Sequence, residues 1–71
     1  MTARDFRATL ARLGLSQVAL SRELGVHHVT VARWASESDN ALAVPRYAVA
    51  WLELYAELVL IALKPDALVK P

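Results

Sequence analysis

The chain has 71 residues, of which 56% are hydrophobic, and its formal net charge is +1 at pH 7. A chain of this length forms one domain close to the lower size limit for a stable core, so residues 1–71 are predicted to be a single domain. It contains no cysteine, which excludes disulfides and thiolate zinc sites. Because so small a domain can bury only part of its hydrophobic residues, we expect another copy of the chain, or another protein, to cover the rest.

The amino-terminal residues show no pattern of a targeting segment. Arg4, Asp5 and Arg7 interrupt the stretch where a signal peptide carries its uninterrupted apolar region. Together with the lack of cysteine, this predicts a cytoplasmic location.

Charge is distributed unevenly along the chain. Residues 1–34 carry five arginines and two carboxylates, a net charge of +3, whereas residues 35–71 carry three basic and five acidic residues, a net charge of −2. A basic half within a nearly neutral chain favours contact with a polyanion such as nucleic acid.

The first helix is predicted to begin at Thr2 or Ala3 and to end at Gly14. Thr2 and Asp5 have the spacing of a capping box, and a glycine commonly follows the last helical residue. Its buried stripe is predicted from apolar spacing to be Phe6, Leu10 and Leu13. Its arginines lie off that stripe and are expected to face solvent or phosphate: Arg4, Arg7 and Arg12.

Residues 17–35 are predicted to form two short helices that meet at Gly25. Ser16 is a natural N-cap for a helix over 17–24, and Gly25 can adopt the positive φ angle of a sharp turn. His27 takes the N-cap position of the next helix. Because histidine is a mediocre N-cap, we expect Thr30 or a phosphate to supply a further hydrogen-bond acceptor for the free N–H groups at that end. The residues predicted to hold the two helices together are Leu20, Ser21, Leu24, Val26, Val31 and Trp34.

A polar stretch over 36–44 is the main predicted loop, and a long helix is predicted over 44–64, opened by Val44-Pro45 and stopped by Lys64-Pro65. The three charged residues that precede Lys64 fall within about 40° of one another on the helix, which leaves two apolar faces. We expect Ala48, Trp51, Leu52 and Tyr55 to face the domain and Leu54, Leu58 and Ile61 to face a partner, although periodicity alone does not assign the faces. Residues 65–71 are predicted to be an irregular tail.

Three other uses of these residues are disfavoured. A membrane span would have to include Arg46, Glu53 and Glu57, and an acidic residue near the bilayer centre costs ~2.5–3.5 kcal/mol. The adjacent His27 and His28 point about 100° apart on a helix, and no third ligand is suitably spaced for a metal. No catalytic constellation or phosphate loop is present. We therefore expect no membrane partner, metal, cofactor, small-molecule ligand or enzymatic activity.

Residues 14–34, GLSQVALSRELGVHHVTVARW, resemble the helix-turn-helix of the lambda-repressor-like superfamily, the Cro and phage-repressor group of bacterial and phage regulators. The resemblance covers about residues 3–36. It is carried by Gly14-Leu15-Ser16-Gln17, Leu20, Leu24-Gly25-Val26, Val31 and Trp34. A second, less specific similarity relates the long helix after its VPRY opening to small phage-encoded autorepressors, including anti-CRISPR-associated regulators.

The resemblance implies roles for individual residues. His28, Val29 and Arg33 match positions that meet base edges in a DNA major groove, with His27 and Thr30 beside them. The matching phosphate contacts are Ser16, Gln17 and Ser36, to which we add two arginines of the basic half, Arg12 and Arg22. The alternatives are that Ser16 and Gln17 only begin a helix, that Val29 is a core residue and that Arg33 contacts solvent or phosphate alone.

The chain departs from the family at two points. In the family a polar side chain often occupies the position of Ala32, so the resemblance implies fewer direct base contacts here. The family fold usually has five helices, whereas one long helix replaces the last two here.

We predict an all-α domain of about four helices, in which residues 1–36 bind DNA and the long apolar helix over 44–64 completes the core and dimerises. The predicted function is that of a sequence-specific regulator of transcription, a repressor that binds an inverted repeat as a homodimer in a bacterial cell or an infected host. The predicted dimer interface consists of Tyr47, Trp51, Leu54, Leu58 and Ile61. The alternatives are a protein-interaction module, such as an antitoxin or adaptor, and the DNA-recognition subunit of a phage packaging or recombination complex.

Overall fold

The computed structural model describes residues 1–63, which form four α-helices. These are α1 (Ala3–Leu13), α2 (Gln17–Leu24), α3 (His28–Trp34) and α4 (Arg46–Leu63). No strand occurs within these residues, so the predicted all-α class and the number of helices are confirmed. The predicted helix stop at Lys64-Pro65 and the predicted tail over 65–71 lie outside the described residues.

Helix α1 begins and ends where its capping residues predict. The backbone N–H of Asp5 donates to Thr2 Oγ1 at 3.0 Å, and the N–H of Thr2 donates to Asp5 Oδ2 at 3.4 Å. Gly14 then takes a left-handed conformation with a φ of 65°. Local side-chain chemistry therefore determines both ends of this helix.

Helices α2 and α3 form the predicted helix-turn-helix. Ser16 Oγ accepts from the backbone N–H of Ala19 at 3.0 Å, and Gly25 ends α2 with a φ of 70°. Ser21 is buried in α2, which packs closely against α3, and its hydroxyl donates to the carbonyl of Val18. Because Ser21 is buried, a larger side chain at this position would have to displace its neighbours.

All four helices contribute to one hydrophobic core. Its buried residues are Phe6, Leu10, Leu20, Val31, Trp34, Ala35, Ala48 and Leu52. The rings of Phe6 and Trp34 meet edge to face, with centroids 6.1 Å apart, and join α1 to α3. Leu13, Leu24, Val26 and Trp51 are partly buried against this core, as the apolar spacing predicts. The core therefore fixes the helix-turn-helix against both α1 and α4.

Helix α4 begins at Arg46, two residues later than predicted. A residue that precedes proline is disfavoured in the helical conformation, so Val44 stays outside the helix. The carbonyl of Pro45 accepts the first hydrogen bonds, from the N–H groups of Ala48 at 3.0 Å and Val49 at 3.2 Å. Across residues 1–63, helices of sufficient length and apolarity to traverse a bilayer are absent.

The two apolar faces of α4 lie in different environments. Ala48 and Leu52 are buried in the core, whereas Leu54 and Leu58 are 58% and 57% exposed. Among residues 53–62 none is fully buried. The domain therefore covers one face near the start of α4, and the other apolar face is open along the helix.

Candidate nucleic-acid interface

His27 caps α3 with its own ring. Its Nδ1 accepts a hydrogen bond from the backbone N–H of Val29 at 3.1 Å. The ring also stacks on that of His28, with centroids 4.4 Å apart and an interplanar angle of 27°. The predicted divergence of about 100° was wrong, because His27 lies at the N-cap and outside the helix. The His27 ring therefore supplies one capping acceptor itself, at the end of α3 where an additional acceptor from Thr30 or a phosphate was expected.

The outer face of α3 carries the residues that the motif predicts to contact bases. His28, Val29 and Arg33 are exposed, and so is His27, whereas Thr30 is half-buried. Val29 is 44% exposed, so the alternative that it is a core residue is wrong. At 100° per residue, positions i, i+1 and i+5 fall within an arc of about 140° of the helix surface, and the buried residues of α3 lie outside that arc. The exposed side chains therefore form one continuous edge, which we call the α3 edge.

The three remaining side chains of α3 differ in burial. Val31 and Trp34 are buried in the core and anchor the helix through the face opposite the α3 edge. Ala32 is exposed between His28 and Arg33, where it contributes only a methyl group. The α3 edge therefore combines hydrogen-bond donors near both ends with small apolar groups between them.

The far end of α3 is bonded to distant parts of the chain. The carbonyl of Arg33 accepts from the backbone N–H groups of Ser36 at 3.2 Å and Leu42 at 3.1 Å. Arg7, in α1, donates to the carbonyl of Ala35. Arg7 was expected to face solvent or phosphate. Its side chain is 42% exposed, but it also bonds a carbonyl 28 residues further along the chain, which periodicity does not reveal.

The predicted phosphate contacts differ in what their side chains already bind. Ser16 Oγ accepts from Ala19, which leaves its hydroxyl hydrogen available to an acceptor. Ser36 Oγ accepts from the N–H of Ser38 and shares a hydrogen bond of 2.7 Å with the Ser38 hydroxyl. Gln17 is half-buried, and Arg12 and Arg22 are exposed. Donors are thus present at the beginning of α2 and just after α3.

The described part of the chain offers neither a pocket nor a set of three grouped metal ligands. Its functional groups are instead spread along an exposed helix edge.

The chain matches no known protein family, and no curated protein or solved structure is significantly similar to it. What bears on its function is therefore the arrangement of its own residues.

Proposed function

We propose that this protein is a sequence-specific double-stranded DNA-binding regulator of transcription, of the lambda-repressor-like helix-turn-helix type, which acts as a repressor. The observation that supports this proposal most directly is the α3 edge. It presents His28, Val29 and Arg33 to solvent on a short helix that α2 and the core hold from behind. That is the arrangement by which the second helix of a helix-turn-helix reads DNA.

The side chains of the α3 edge supply complementary chemistry for base pairs. The guanidinium of Arg33 can donate two parallel hydrogen bonds to O6 and N7 of guanine. Val29 can pack against the methyl group of thymine, and a His28 nitrogen can donate to a purine acceptor. One bidentate contact discriminates against a wrong base by ~1–3 kcal/mol, so Arg33 is the residue with the largest expected effect on specificity.

Contacts with phosphate place the α3 edge in the groove without reading sequence. We propose that Ser16, Gln17 and Ser36 bond phosphates and that Arg12 and Arg22 add electrostatic attraction. The net charge of +3 on residues 1–34 supports this assignment.

We propose further that two copies bind together through α4. Tyr47, Trp51, Leu54, Leu58 and Ile61 are spaced alternately by four and three residues, the repeat by which paired helices interlock. Tyr47, Leu54, Leu58 and Ile61 are between 39% and 58% exposed. A two-fold dimer would recognise an inverted repeat with half-sites one helical turn of about 10 bp, or a multiple of it, apart.

Replacement of Arg33 tests the proposed DNA reading. A duplex selected by the unaltered protein from a random pool is compared with a scrambled duplex of equal length. Arg33→Ala should lower the preference for the selected duplex by about 5- to 150-fold, the equivalent of ~1–3 kcal/mol. Arg33→Lys is the matched control for charge: it should retain salt-sensitive binding to both duplexes and lose most of the preference, because lysine lacks the bidentate fork. An equal loss on both duplexes would contradict base reading by Arg33.

A second candidate function is that of a protein-interaction module, such as an antitoxin or adaptor. The exposed apolar face of α4 favours it, because that face could bind a different protein. Light scattering separates the two candidates at low cost. A stable homodimer of the purified chain supports the regulator, and a monomer that aggregates supports the interaction module.

A further inference from the structure

Arg7 forms two hydrogen bonds that join α1 to the segment after α3. Its Nη1 donates to the carbonyl of Ala35, and its Nη2 lies 3.3 Å from a carboxylate oxygen of Glu37. These partners are 28 and 30 residues away along the chain. One side chain therefore connects the first helix to the end of the helix that carries the α3 edge.

The end of α3 lacks the local device that ends the two preceding helices. α1 and α2 each end at a left-handed glycine, whereas α3 ends at Ala35, which has φ −86° and ψ −3°. The last carbonyls of a helix have no partner within the helix and need one elsewhere. The N–H groups of Ser36 and Leu42 supply partners for the Arg33 carbonyl, and Arg7 supplies one for the Ala35 carbonyl. Tertiary hydrogen bonds thus hold the end from which Arg33 projects.

We propose that Arg7 is a positioning residue for DNA reading: it fixes the carboxyl-terminal end of α3 and so the direction of the Arg33 side chain. This inference rests on the proposed DNA-binding function. A bidentate contact with guanine requires both the position and the plane of the guanidinium to be correct, so a small tilt of α3 would weaken that contact. Contacts with phosphate by mobile arginines would tolerate the same tilt.

The two bonds of Arg7 do not contribute equally to this positioning. Arg7 and Glu37 have side chains that are 42% and 63% exposed, and solvent-exposed ion pairs add little to stability. The Ala35 carbonyl belongs to a buried residue at the helix end itself. We therefore expect the bond from Arg7 to the Ala35 carbonyl to position α3. Loss of the Glu37 carboxylate should have little effect on the preference for the selected duplex.

Four variants of the full chain separate the proposed positioning role of Arg7 from the general effect of its positive charge on DNA binding. Arg7→Ala removes both bonds, and Arg7→Met removes them but keeps an aliphatic side chain of similar length. Glu37→Gln removes only the ion pair. Arg4→Ala is the matched control, because Arg4 is also an exposed arginine of α1 and takes part in no side-chain hydrogen bond within residues 1–63.

The affinity of each variant is measured for the selected and the scrambled duplex, at a temperature at which circular dichroism shows the variant to be folded. Both Arg7 variants should lower the preference for the selected duplex about tenfold, the size of a partly lost base contact. Arg4→Ala should weaken binding to both duplexes equally, and Glu37→Gln should leave the preference within about twofold of the unaltered value, since an exposed ion pair contributes little.

A spectroscopic measurement on the free protein tests the bond itself. The carbonyl ¹³C shift of Ala35 should change in Arg7→Met and stay unchanged in Arg4→Ala and Glu37→Gln. A preference in the Arg7 variants as high as in Arg4→Ala, or an unchanged Ala35 shift, would overturn the positioning role. If the unaltered protein shows no preference for the selected duplex, the proposed DNA-binding function is contradicted. The positioning role of Arg7 in DNA reading is then contradicted as well, even if the Ala35 shift changes in Arg7→Met.

Discussion

Gly25 adopts a φ of 70° between α2 and α3, a conformation that costs an ordinary L-residue about 1–2 kcal/mol. A Cβ built at this position would meet no atom within 4 Å. The requirement for glycine is therefore a requirement of the backbone and does not arise from crowding. The turn that sets α3 against α2 depends on this single conformational property.

Gly25→Ala should consequently lower the free energy of unfolding by about 1–2 kcal/mol, through the left-handed conformation alone. Gly25→Asn is the matched variant, because asparagine enters the left-handed region more readily than alanine. This variant should lower the free energy of unfolding by less than Gly25→Ala does. Urea unfolding followed by circular dichroism measures both. Equal stability of Gly25→Ala and the unaltered protein would show that the turn does not need glycine.

Helix α4 has two apolar faces in different environments. Ala48 and Leu52 complete the core near its start, and Leu54 and Leu58 remain open to solvent on another face. The charged residues of the helix, Arg46, Glu53 and Glu57, are all exposed and lie together between these faces. A helix with two separate apolar faces can hold its own domain and still offer a surface to a second copy.

The proposed dimer is tested by placing charge on that open face. Leu54→Glu combined with Leu58→Glu should raise the dimer dissociation constant at least about 100-fold, because burial of one leucine is worth ~1.5–3 kcal/mol. Leu60→Glu is the matched control, since Leu60 is 53% exposed but lies on the helix surface beside Glu53 and Glu57, away from the proposed interface. Sedimentation equilibrium gives the oligomeric state of each protein. A monomeric unaltered chain, or equal weakening by Leu60→Glu, would contradict the assigned interface.

The molecule as a whole depends on one core shared by four short elements. Stability of ~0.05–0.15 kcal/mol per residue corresponds to about 4–11 kcal/mol for a chain of this length. One buried leucine can contribute a large part of that total. Leu52 is 1% exposed and joins α4 to the core that also holds α3, so the helix-turn-helix and α4 should unfold together.

Leu52→Ala should lower the free energy of unfolding by ~2–5 kcal/mol, the range for a leucine removed from a core. Leu60→Ala, at an exposed position of the same helix, should change it by less than about 0.5 kcal/mol. Unfolding in urea is followed by circular dichroism and by tryptophan fluorescence. If the two signals of Leu52→Ala change at different urea concentrations, α4 does not share one cooperative core with the other helices.

Features that depend on neighbours within a few residues were predictable from the sequence. The caps at Thr2 and Ser16 and the turn at Gly25 involve partners no more than four residues away, and the structure confirms each of them. The exposure of Arg33 was predicted once the turn was located, whereas the exposure of Val29, for which a core position was an alternative, was decided by the structure. For these features, the chemistry of adjacent side chains and the fixed geometry of a helix are sufficient causes.

Other features were determined only by the tertiary structure. Periodicity showed that α4 has two apolar faces, but packing against the core decided that Ala48 and Leu52 are the covered ones. The bond from Arg7 to the carbonyl of Ala35 left no pattern in the sequence, since a backbone acceptor exists at every residue. Which acceptor an arginine reaches depends on the distance between two helices, and that distance is set by the core as a whole.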